Sequence, residues 1–86
     1  MLKKLTWKEK YILSLSENMS LKDIMRLRDI GQPTAIKIRN KAIEYCIRNG
    51  IEFNTRLVPT EAVLIVTGHD IQYYYDKMVL ESKTLS

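Results

Sequence analysis

Residues 21–50 read LKDIMRLRDIGQPTAIKIRNKAIEYCIRNG, and the spacing of their apolar, small and basic positions decides the fold. Ser20 and Asp23 place a hydroxyl and a carboxylate three residues apart, the pattern that satisfies free amides at a helix N-terminus. Leu21, Ile24, Met25 and Leu27 then follow the i, i+3, i+4 repeat, so a short amphipathic helix is predicted over 21–28. Asp29-Ile30-Gly31-Gln32 interrupts it, with Gly31 expected to take the positive φ of a sharp corner. Pro33 opens a longer helix, because the N–H that proline lacks goes unpaired in a first turn. Over 33–49 one apolar stripe runs through Ala35, Ile38, Ala42, Tyr45 and Cys46, broadened by Ile36, Ile43 and Ile47. Lys37, Lys41, Glu44 and Arg48 fall on the opposite face, flanked by Arg39 and Asn40. Asn49-Gly50 supplies the left-handed residue that ends a helix.

A short helix, a glycine-containing turn and a long helix with small residues inside are the parts of a helix-turn-helix. The turn sets the helices at a steep angle, the first braces the second, and Ala35 and Ala42 permit close approach. The braced helix then offers its outer face to a major groove. Gln32 and Thr34 lie at its N-terminal end, where amides attract phosphate. Lys37, Asn40 and Lys41 stand where base edges are reached, asparagine suiting adenine and lysine guanine. Arg28, Arg39, Arg48 and Arg56 are assigned to backbone phosphates. Glu44 either accepts from cytosine or pairs with Lys41 or Arg48.

Outside this unit, Thr6 and Glu9 form a second capping pattern, and Tyr11, Ile12 and Leu15 continue it as a helix over 7–16. After Gly50 the period changes. Residues 51–53 alternate as a strand, 54–56 turn, and Leu57-Val58 return, giving a β-hairpin with Arg56 at its tip. Pro59 and Thr60 start a helix over 61–66, and Asp70 caps a last helix over 70–82. The fold class is therefore mainly α with a small β-hairpin, a winged helix-turn-helix with extra terminal helices. It makes a single domain over 1–86, with a core at 20–68 and extensions at 1–19 and 69–86.

Charge agrees with this layout. The 86 residues carry 14 Lys+Arg and 10 Asp+Glu, a formal charge of +4. Residues 1–19 are net +2 and residues 20–50 net +4, while residues 51–86 are net −2. A polyanion is expected to meet the first 50 residues rather than the tail. One cysteine excludes an intrachain disulfide, and neither an apolar run of membrane-spanning length nor a cleavable leader is evident. The expectation is a cytoplasmic protein without a membrane partner.

The remaining candidates for chemistry are weak. His69 is the lone histidine and has no cysteine pair to complete a zinc site. Asp70 reads as a helix cap, and Cys46 falls on the buried stripe. Three glycines do not make a phosphate-binding loop. No catalytic residue, metal or other cofactor is expected, and the chain reads as a non-enzyme. Tyr73-Tyr74-Tyr75 offers rings for base stacking, but three successive helical positions point three ways in a net-acidic segment. Together with Trp7, Tyr11 and Met78 these tyrosines are assigned to packing or to a protein interface.

Residues 21–68, from LKDIMRLRDIGQPTAIKIRNKAIEYCIRNG through an aromatic strand and a basic turn to VPTEAVLIVTG, resemble small helix-turn-helix proteins of Gram-positive mobile genetic elements. These are related in pattern to the winged-helix excisionases. Thr34-Ala35 match the polar and small residues that open the family's recognition helix, and Ala42 and Gly50 match its recurrent small positions. The departure is a short turn, Asn54-Thr55-Arg56, with a single basic residue. The resemblance implies an accessory protein that binds DNA through residues 33–49. Its protein partner would be the element's integrase. Alternatively, it implies a non-catalytic small subunit that docks on a replication polymerase, primase or helicase and helps hold the template.

Overall fold

The two hydroxyl–carboxylate pairs close as capping boxes. Glu9 N donates to Thr6 Oγ1 at 3.1 Å and Thr6 N donates to Glu9 Oε1 at 2.9 Å. Asp23 N donates to Ser20 Oγ at 3.2 Å and Ser20 N to Asp23 Oδ2 at 3.0 Å. They start helices α1 (Trp7–Ser14) and α2 (Leu21–Arg28) in a computed structural model that describes residues 4–85. Lys3, counted in the N-terminal charge, lies outside the described residues. Three further helices follow: α3 (Gln32–Arg48), α4 (Thr60–Thr67) and α5 (Ile71–Leu85). The fold is thus mainly helical.

α1 stops short of the expected Ser16. Ser14 Oγ donates to the Tyr11 carbonyl at 2.6 Å and Ser16 Oγ to that of Leu13 at 2.7 Å, so side chains take acceptors that a longer helix would use. The chain then forms β1 (Asn18–Met19), which pairs antiparallel with β2 (Val58–Pro59), Met19 opposite Val58. This pairing replaces the expected hairpin. No strand forms over residues 51–57, where Phe53 and Leu57 remain exposed. An isolated hairpin is marginal without an apolar face to cover. Val58 instead gains full burial beside Met19.

The corner between α2 and α3 also differs from expectation. Gly31 has an ordinary φ of −79°, and Asp29 takes the left-handed conformation at φ 53°. Asp29 tolerates it as aspartate often does, and its carboxylate meets Lys10 Nζ of α1 at 2.6 Å. α3 starts and stops one residue before the expected 33–49, but its stop signal is the expected one: Gly50 is left-handed at φ 66°, with Ile51 N donating to the Cys46 carbonyl at 2.9 Å.

α4 begins one residue early, at Thr60, whose hydroxyl is spent 3.1 Å from Ser16 Oγ rather than on a cap. Asp70 does cap α5, accepting from Tyr73 N at 2.9 Å. α3 packs on α2 and α4, and α1 packs along α5. The buried core joins Met19, Ile24, Leu27, Ala35, Ala42, Cys46, Val58 and Val63 with Tyr74 of α5. The C-terminal segment, expected as an appendage, therefore helps build the core. Among the described residues no helix is long and apolar enough to cross a membrane.

Candidate nucleic-acid interface

α3 carries the site because of how its two faces divide. Ala35, Ala42 and Cys46, seven and four residues apart, are completely buried and set the line along which α3 meets its neighbours. A step of about 100° per residue puts Lys37, Lys41, Glu44 and Arg48 on the far side of the helix. All four are exposed, as are Gln32, Thr34 and Asn40. The paired α1 and α5 leave this face open.

The electrostatics of the face are simple. The one salt bridge among the described residues is Lys10–Asp29, so none of Lys37, Lys41 and Arg48 is held in an ion pair there. Glu44 pairs with neither Lys41 nor Arg48, contrary to the expected ion pair. At the N-terminus, Gly31 offers no side-chain cap, whereas α1 and α2 both have one. The first amides of α3, those beside Gln32 and Thr34, are therefore left for an external acceptor.

Three other arginines are placed differently from the sequence expectation. Arg39 follows Ala35 by four residues and precedes Ala42 by three, so it turns toward the packed side. It is half-buried, and its Nε has no partner. Arg28 is also half-buried, and its guanidinium Nη1 donates to His69 Nδ1. Arg56 is exposed, but in a bend rather than at a wing tip; its own N–H donates to Asn54 Oδ1 at 2.8 Å. Conversely, Ile47, read as part of the apolar stripe, is 66% exposed at the margin of the cationic face. Its place five residues beyond Ala42, well round the helix from the buried line, was the signal available in the sequence.

The aromatic residues assigned to a partner mostly meet one another. Trp7 lies edge-on to Tyr73 at 6.1 Å between centroids, and Tyr11 to Tyr75 at 5.5 Å. Lys10 Nζ stands 4.4 Å above the Trp7 ring. Tyr74 is 1% exposed and cannot reach a partner; Trp7, Tyr11, Tyr73 and Met78 are half-buried, and Tyr75 alone is exposed. Of the three tyrosines proposed for stacking, Tyr74 is buried and Tyr73 already stacks on His69 at 3.9 Å, which leaves Tyr75.

Cys46 is buried beneath α4, where desolvation and then the Glu61 charge push its thiol above the usual range, which does not favour a nucleophile. Among the described residues no group of three or more His, Cys, Asp or Glu could hold a metal. Comparison of the chain with protein-family models, characterised proteins and solved structures gave no match.

Proposed function

We propose that this chain is a non-enzymatic DNA-binding accessory protein of a mobile genetic element, a reduced relative of the excisionase-like helix-turn-helix type. α2 and the turn over residues 29–31 brace α3, and α3 presents its cationic face to the duplex. One observation carries the reading: Lys37, Lys41 and Arg48 share an exposed face, and among the described residues none of the three is held in a salt bridge. Lys37 and Lys41 stand mid-face for base edges with Asn40 at the margin, and Gln32, Thr34 and Arg48 at the two ends for phosphates. Arg28 and Arg39 drop out of the contact set, and the winged form reduces to an irregular loop holding Arg56. The alternative, a replication subunit docked through its terminal aromatics, has less support, since those rings are engaged with one another.

Fluorescence anisotropy on a labelled duplex tests the proposal. Affinity falls with salt, log K changing by about −0.9 per log unit of salt for each phosphate neutralised. The double variant Lys37→Ala, Lys41→Ala weakens binding at least tenfold and relaxes its sequence preference, while Arg48→Ala lowers the slope by about one phosphate contact, both with unchanged thermal stability. Undetectable binding of the folded chain at low salt, or full affinity in the double variant, overturns the reading.

A further inference from the structure

A second surface lies away from α3. The C-terminal end of α1, the outer side of α4 and the start of α5 enclose an open groove of about 570 Å³, and no residue of α3 lines it. Its floor is apolar and uncovered: Leu15 is 53% exposed, Ile65 47% and Ile71 42%. These three come from the C-cap of α1, from α4 and from α5, so the fold assembles the strip; no single segment contains it. Scattered exposed aliphatics are ordinary on a protein surface, but these three share one groove with an all-acidic rim.

The rim chooses the occupant. Every charged residue along the groove is acidic: Glu17, Glu61 and Asp70. Among the described residues neither Glu17 nor Glu61 is ion-paired, and Asp70 is engaged only in capping α5. The protein is net +4, so a cationic ligand is repelled everywhere except where carboxylates concentrate locally. The same carboxylates disfavour an anionic membrane surface or a nucleic acid at this place. We infer that the groove between α1, α4 and α5 receives an amphipathic helix of a partner protein, its aliphatic ridge on Leu15, Ile65 and Ile71 and flanking lysines or arginines against Glu17 and Glu61. This is the helix-in-groove mode, in which apolar anchors supply affinity and rim charges select the partner. The inference does not rest on DNA binding by α3.

The test uses the full chain without DNA and two labelled synthetic 18-residue helices. Both carry leucines at spacings of three and four; one is flanked by lysines, the other by glutamates. The lysine peptide binds, the glutamate peptide binds at least tenfold more weakly, and amide shifts in NMR spectra concentrate at Leu15, Ile65 and Ile71. The double variant Glu17→Lys, Glu61→Lys, at exposed positions and checked for folding by circular dichroism, loses at least tenfold in affinity for the lysine peptide. Equal binding of the two peptides, no binding of either, or shifts mapping to α3 overturns the inference. So does self-association of the chain that Ile65→Glu abolishes, which would assign the groove to a second copy.

Discussion

Lys10 is the residue whose environment is most demanding. Its side chain is 5% exposed, and its charge is met by the Asp29 carboxylate and the face of Trp7. Removing one partner of such a pair strands the other, which costs more than the pair contributes when intact. Asp29→Ala should therefore lower stability by about 1–3 kcal/mol, while Lys10→Met in the Asp29→Ala background should recover part of the loss. Urea unfolding of the two single variants and the double variant measures this; additive losses would show that the pair is not coupled. His69 makes a related prediction about pH. Burial, then Arg28 and Lys77, hold its imidazole below the ordinary range, with Asp70 opposing them. Because the folded state prefers the neutral ring, which accepts from Arg28, that contribution is complete above the unfolded pKa of about 6.5. It is lost as pH falls through the lower folded value. Thermal midpoints should drop on acidification below about pH 6.5, and His69→Gln should flatten that part of the profile.

At the scale of the element, α3 depends on small residues where it crosses its neighbours. Ala42 is wholly buried between helices, so Ala42→Leu should overpack the contact and destabilise by about 1–3 kcal/mol. Asn40→Leu on the open face should change stability little, and thermal unfolding of the two variants separates the cases. Helices of this kind were legible because their causes are local. The Thr6–Glu9 and Ser20–Asp23 boxes, the Ala35–Ala42–Cys46 line and Gly50 act within a few residues of themselves. Asp29 as the corner was not legible, since what accompanies its left-handed conformation is a lysine 19 residues away. The strand at Val58 was readable as a strand, but its partner Met19 is remote in sequence, and Phe53 gave a false alternation that the fold does not bury.

The whole molecule is held by the antiparallel pair α1 and α5, which joins the two ends of the chain. Trp7 N donates to Glu81 Oε1 at 3.1 Å, and Tyr74 carries α5 into the common core. Truncation after Gly68 should thus melt α1 as well as α5, losing more ellipticity than the 15 residues of α5 account for. Far-UV circular dichroism of the truncated chain checks this, and a loss limited to α5 would show that the extensions are independent. The candidate interface was legible on the outer face of α3 because helical period alone separates Lys37, Lys41 and Arg48 from the alanines. Arg28 and Arg39 misled because their fate is set by His69 on a distant segment and by neighbouring helices. Under the proposed reading, the length of that outer face sets a footprint. Lys37 to Arg48 covers about 16 Å at 1.5 Å per residue, or about five base pairs at 3.4 Å each. A single copy would thus occupy half a helical turn of B-form duplex, and two copies reading the same side of the double helix would sit with their centres about 34 Å apart.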